Sequence, residues 1–172
     1  MPITNVTGAN IPDKLTMAQT ACTQSIQHLR NAIKSLKDNS INEEQRKWLN
    51  HYFLLGNDNT EIPAEIIQIL KTTKRALKHE NITVNIAFYN YVNKNNPNVI
   101  NLARSQFNQA HQAIRYLIHE ASHLYADTKD HSERGYTDNA GNYRQPGLTK
   151  EEALNNADSY ACFISSFNGL RL

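Results

Sequence analysis

The chain has 172 residues, 20% of them charged, and its 18 basic residues nearly balance 16 acidic ones for a formal net charge of +2. That length suits one domain, residues 1–172, with a core that needs no disulfide staples. Scattered Lys and Arg leave no basic face for nucleic acid, and no apolar run approaches the roughly 20 residues of a membrane span, so a soluble monomer acting on a protein or small-molecule substrate is expected.

Met1 to Asn10 carries neither a basic n-region nor an apolar h-region, so no classical export signal is read there. From Thr16 to Leu36, Ala18, Ala21, Cys22, Leu29, Ala32, Ile33 and Leu36 recur at spacings of three and four and predict an amphipathic helix. Ser40 followed by Glu43 resembles a capping box and opens a second helix through Trp48 and Phe53, closed at Gly56. A third runs from Pro63, in its first turn, through Leu77. Ile82, Val84, Ile86 and Phe88 then alternate with Thr83, Asn85 and Ala87, the period of a half-buried strand. Val99 to Leu102 supplies a second short strand, the two forming a small sheet.

The next helix is expected from Gln106 to Ala126, with Phe107, Ala110, Ile114, Leu117, Ile118, Ala121 and Leu124 as its apolar stripe. Asp127 to Gly147 reads as a long polar loop, a length often tied to function. Thr149 with Glu152 makes a second capping box, opening a last helix that carries Ala153, Leu154, Ala157, Tyr160, Ala161, Ile164 and Phe167. Cys22 and Cys162 exclude a disulfide framework; two free buried thiols are the preferred reading over one long-range bridge.

The expected helix contains His119-Glu120-Ala121-Ser122-His123, an HExxH motif. Residues four apart share a helix face, so both imidazoles can reach one ion while Glu120 points at a metal-bound water. A catalytic zinc usually keeps three protein ligands and an open position. Glu120 is the candidate general base of a zinc hydrolase, set against a surface helix with incidental histidines. For the third ligand, HExxHxxGxxH fails because Ala126 and Lys129 stand at the glycine and histidine positions. Glu151 and Glu152 are already explained by capping. Asp127-Thr128-Lys129-Asp130-His131 is a nearer source, with His131 an alternative to Asp130.

HEASH followed by ADTKD resembles the aspzincin family, the deuterolysin and lysine-specific metalloendopeptidase group. There HExxH is followed by GTxD, whose Asp binds zinc; matching Thr128 puts Asp130 at the ligand position. Asn156-Ala157-Asp158-Ser159-Tyr160-Ala161 is similar to the family's NADxY stretch. The resemblance, strongest from Ile114 to Phe167, implies a zinc endopeptidase on a mostly helical α+β zincin-like fold, its small sheet beside the HExxH helix. Asp127 stands where the family has Gly, and Glu133 where it has the Tyr that stabilises the oxyanion. Tyr136 is the candidate replacement, against Tyr143 or no tyrosine. The family's Asp of NADxY and an acid three residues on form a pocket for a lysine after the cut. Asp158 matches the first acid but Ala161 stands at the second, so Asp158 is either a pocket acid favouring Lys or Arg, or an acid orienting a zinc-bound histidine.

The expectation is therefore an endopeptidase with one catalytic Zn2+ on His119, His123 and Asp130, Glu120 as base, Tyr136 on the oxyanion and Asp158 at the substrate. An effector or toxin delivered into a target cell by a dedicated machine fits the chain, a cytoplasmic location being the alternative. Two rivals are a zinc amidase of a non-protein substrate and a noncatalytic zinc-containing binding domain.

Overall fold

In a computed structural model, the structure describes residues 2–172. The elements in order are β1 (Ile3–Gly8), α1 (Lys14–Lys37), α2 (Glu43–Tyr52), α3 (Ala64–His79), β2 (Ile82–Ala87), β3 (Tyr91–Val92), β4 (Val99–Ala103), α4 (Ala110–Ala126), α5 (Lys150–Leu154) and α6 (Ala157–Phe167), with 3₁₀ turns at Arg104–Asn108 and Ser132–Arg134. The class is α+β: the helices dominate, and one four-stranded mixed sheet runs in the order β1-β2-β4-β3. Among the described residues no helix is long and apolar enough to cross a membrane.

The helix-period stripes bury for the most part; on α4, Ala110 is exposed and Leu124 is half-buried. On α1, Ala18, Ala21, Cys22, Leu29, Ala32, Ile33 and Leu36 all face the core, and α4 sits centrally against α1, α3, α6 and β4. The second helix opens two residues later than Ser40, because the capping box is made by Asn42 and Gln45, each side chain accepting from the other's backbone N–H. Pro63 is the N-cap of α3 rather than part of its first turn.

The sheet is larger than two strands. β1 pairs in parallel with β2, β2 in parallel with β4, and the two-residue β3 closes the far edge antiparallel to β4. The period of two places Phe88 on the inward face with Ile82, Val84 and Ile86, but the strand ends at Ala87 and Phe88 is 94% exposed. Here the chain must cross the end of β4 to reach β3, and Asn90 Oδ1 pins that crossing by accepting from Ala103 N at 2.7 Å. Asn101 in β4 is buried, with its amide accepting from Asn85 of β2 and donating to the Tyr91 carbonyl, which ties three strands together at one level.

Two helix boundaries also differ from the sequence reading. α4 starts at Ala110, not Gln106, since the 3₁₀ turn buries Phe107 and Gln109 is extended. The last helix is broken between α5 and α6 at Asn155 and Asn156. Both cysteines are buried and free.

Candidate metal centre and its cleft

The C-terminal end of α4 is built to turn the chain back on itself. Asp127 takes φ 55°, ψ 30° at the helix cap, the left-handed conformation usually given to glycine, and its N–H caps the Ser122 carbonyl. Its carboxylate is held by Lys94 and Lys129. Thr128 then follows buried, its hydroxyl 2.8 Å from that of Ser122. Lys129 pairs with the broken segment of the last helix: Lys129 N donates to Asn155 O at 2.7 Å, and Ala157 N donates to Lys129 O at 3.0 Å. Those two bonds require non-helical backbone at Asn155 and Asn156, and this is why the final helix is interrupted. They set Asp130 and Asp158 on opposite sides of the same histidine.

The structure brings His119, His123 and Asp130 together. His123 Nε2 lies 3.1 Å from His119 Nε2 and 3.1 Å from Asp130 Oδ1, and His119 Nε2 lies 3.3 Å from the same oxygen. Each ring's second nitrogen is engaged elsewhere, His123 Nδ1 with the Thr128 carbonyl at 2.8 Å and His119 Nδ1 with Asp158 Oδ1 at 3.3 Å. A carbonyl only accepts, so His123 carries a proton on Nδ1, and Nε2 is the ring atom that faces the common point. Ligands about 2.0–2.1 Å from a tetrahedral zinc sit roughly 3.3 Å apart, so the donor set and its spacing fit such an ion.

Asp158 is almost fully buried, and its two oxygens meet five donor contacts. Oδ1 takes Arg115 Nη2 at 3.3 Å and His119 Nδ1; Oδ2 takes Arg115 Nη2 at 3.2 Å, Thr137 N at 2.8 Å and Thr137 Oγ1 at 2.9 Å. A carboxylate offers about four lone-pair sites, so none is left for a ligand. One of those contacts reaches His119, whose other ring nitrogen faces His123 and Asp130.

Burial alone would lower the His119 pKa, but the Asp130 and Asp158 carboxylates outweigh it and raise it to about 10. Burial likewise opposes ionisation of Asp130, yet the two imidazoles hold it well below the usual carboxylate range. A metal binding at His119 competes with the proton that these carboxylates favour. Apparent zinc affinity should therefore rise with pH through the neutral range, with protons released as the ion binds. Calorimetry in buffers of differing ionisation enthalpy measures that release; zero protons at pH 7 would show His119 to be already neutral.

Glu120 is buried beside the triad and makes no hydrogen bond to the described protein atoms. Burial is the largest influence on it and raises its pKa against the lowering effect of His119 and His123. It lines two depressions that meet at Asn90, Glu120 and Asp130. One, of about 230 Å³, continues over His119 to Arg115, Tyr116, Tyr136, Thr137, Arg144 and Asp158. The other, of about 280 Å³, continues past His123 along β3 and Lys94. A cleft thus crosses the triad.

Of the two candidate tyrosines, Tyr136 lines the cleft, and burial with the nearby Asp130 charge pushes its phenol up to about 12, so it keeps its proton. Tyr143 is engaged in the interior, donating to the Tyr52 carbonyl and meeting Ser159 Oγ at 2.8 Å. His131 points away from the triad to Asn155 Oδ1 at 2.6 Å. Glu152 caps α5 and pairs with Arg134 at 2.7 Å, and Glu151 lies exposed in the same turn. Neither is near the metal point. Glu133 sits on the surface 3.9 Å from Arg144.

Sequence reading missed Arg115, Thr137, Arg144 and Asn90. Arg115 alone carried a signal, since it stands four residues before His119 and so shares its helix face. Gly135 is a further requirement: a Cβ there would lie 2.5 Å from Asn156 Oδ1 and 2.9 Å from His131 N. Gly135→Ala should cost about 1–3 kcal/mol by overpacking and displace Tyr136. Chemical denaturation measures the first effect; unchanged stability would mean that the loop yields freely.

Residues 38–165 match a family model described as lysine-specific metallo-endopeptidase, of the aspzincin type. No curated protein matches the chain.

Proposed function

We propose, since the chain belongs to the aspzincin family of zinc-dependent metalloendopeptidases, that it hydrolyses peptide bonds within protein substrates at His119, His123 and Asp130, with Glu120 as general base. The observation that carries this reading is the convergence of three potential ligand atoms beside a buried carboxylate that makes no hydrogen bond to the described residues. A zinc ion held there would supply Lewis acidity to water and to the scissile carbonyl.

The chain's own groups account for the rest. Glu120 accepts a proton from the attacking water and passes it to the leaving amine, and its burial tunes the carboxylate toward the working pH. Asp158 and the Thr128 carbonyl fix the two imidazoles through their Nδ1 atoms. The Tyr136 phenol donates to the carbonyl oxygen as negative charge builds on it. Tyr136→Phe should lower kcat about 10²–10³-fold with zinc content unchanged. A full-rate phenylalanine variant would remove the phenol from the reaction. The HExxH helix, with a mixed sheet whose short antiparallel strand β3 borders the cleft, supports a zincin-like assignment of the fold.

The test is cleavage of unfolded proteins by the zinc-loaded chain, by the chelator-stripped chain, and after zinc is restored. Activity that follows the metal supports the assignment. A chain that binds zinc at the triad yet leaves every unfolded protein intact speaks against peptidase activity.

A further inference from the structure

The loop that carries Tyr136 into the cleft is a tight two-armed turn. Thr137 and Tyr143 face each other as an antiparallel bridge, Asp138 N donates to Asn142 O at 2.8 Å, and Arg144 N donates to Tyr136 O at 2.9 Å. Gly141 sits in the turn at φ 84°, so near the Tyr52 ring that a Cβ there would lie 2.5 Å from the hydroxyl. The first arm is tied to α6, because Thr137 N and Oγ1 both donate to Asp158 Oδ2. Pairing between the arms then makes the place of Tyr136 depend on where the second arm is held.

That second arm is held by a chain of hydrogen bonds with one direction. A carbonyl only accepts, so the single Tyr143 hydroxyl proton goes to the Tyr52 carbonyl. Ser159 Oγ, 2.8 Å from the Tyr143 oxygen, is then the donor of that pair, and it accepts in turn from Asn156 Nδ2 at 2.9 Å. The other Asn156 amide proton goes to the Gly135 carbonyl at 2.8 Å, on the residue just before Tyr136. Asn156 and Ser159 are fully buried. Tyr52 ends α2, where carbonyls lack helical partners, and His51 of the same helix donates from Nε2 to the Gly141 carbonyl at 2.6 Å. Tyr136 is thus bracketed, with Gly135 held on one side and Arg144 on the other by one connected set of bonds. Tyr143, Ser159 and Asn156 themselves line neither depression of the cleft.

We propose that Tyr143 is a positioning residue: through the chain that runs from the Gly135 carbonyl to the Tyr52 carbonyl, it holds the Tyr136 phenol in place over the cleft. This deepens the peptidase reading and rests on it, since there that phenol donates to the carbonyl oxygen of the substrate. A phenylalanine would fill the space of the Tyr143 ring, and only the hydroxyl joins the two ends of the chain. Acting through Tyr136, the hydroxyl governs the rate of the reaction and leaves substrate and metal binding alone.

Tyr143→Phe keeps the ring and removes the hydroxyl. With the zinc-loaded full-length chain cleaving an unfolded protein, kcat should fall about tenfold with KM and zinc content unchanged. The same substitution made on top of Tyr136→Phe should bring no further loss, because the phenol it positions is gone. Ser159→Ala cuts the chain one link earlier and spares the Tyr143–Tyr52 bond; it should act in the same direction more weakly, and it stands in if Tyr143→Phe folds poorly. Fluorotyrosine labelling with fluorine NMR reads position without activity: the Tyr136 line, assigned by its loss in Tyr136→Phe, should shift or broaden in Tyr143→Phe. An unchanged kcat, an unmoved Tyr136 line, or equal losses in the wild-type and Tyr136→Phe backgrounds overturns the positioning role and leaves the peptidase standing. A zinc-loaded wild type that cleaves nothing overturns the peptidase reading, and the fluorine line then decides the positioning by itself.

Discussion

Asp158→Ala should destabilise the protein by about 3–5 kcal/mol, because it leaves the Arg115 guanidinium buried without its counter-ion. It should also weaken zinc binding about 10–100-fold, since His119 Nδ1 loses the acceptor that orients the ring. The pH profile distinguishes this from generic core damage. His119, with its pKa raised to about 10, contributes stability that is fully present below about 6.5 and lost as pH rises toward 10. Asp158, held well below the ordinary carboxylate range, contributes stability present above about 3.9 and lost as pH falls into strong acid. The gap between the metal-free wild type and the variant should therefore be widest between about pH 4 and 6.5 and narrow on either side. Denaturant unfolding across pH, with chelator competition for the affinity, measures both parts. A gap that ignores pH would assign Asp158 to packing alone.

Glu120→Gln should lower kcat/KM by about 10²–10⁴-fold while zinc stays bound. Gln keeps the shape and the burial but cannot accept the proton of the attacking water. Because burial raises the Glu120 pKa, the neutral amide should leave the metal-free fold as stable or more so, the usual relation between a strained catalytic group and its scaffold. Steady-state kinetics, metal analysis and a melt on the same preparation read all three quantities. A variant retaining a third of the activity would move the base to another group, and one that loses zinc together with activity would make Glu120 part of the metal site.

Much of the fold was legible because local patterns and tertiary burial agree. The stripes on α1, α4 and α6 are continuous, and the Thr149–Glu152 box forms as read. What escaped depended on distant partners. β1 is a six-residue strand with only Ile3 and Val6 buried, and nothing local announces that it will pair with β2 some 80 residues on. β3 is two residues long and exists because Asn101 and Asn90 hold it to β4. The helix break at Asn155 answers to Lys129 and has no helix-breaking residue of its own. Phe88 fitted a period of two and was left outside by a chain crossing. At the site, the HExxH spacing and the Asp130 match identified the three groups that converge, since those depend on one helix and the turn after it. The residues around the cleft come from four separated pieces of chain, and spacing says nothing about them.

That separation divides the site into two parts joined at Asp158. The three ligand atoms lie within residues 119–130, closed locally by Ser122, Asp127 and Thr128. The cleft wall is assembled from the Asn90 crossing, the first half of α4, the loop carrying Tyr136 and Arg144, and the start of α6. The candidate ligands can then be inherited as a block, with the Asp158 contact to His119 as the one tie from the cleft wall. A designer wishing to retarget the enzyme would work at positions 89 and 144, on the cleft rim, and leave the turn after α4 and the buried Arg115–Asp158 pair alone.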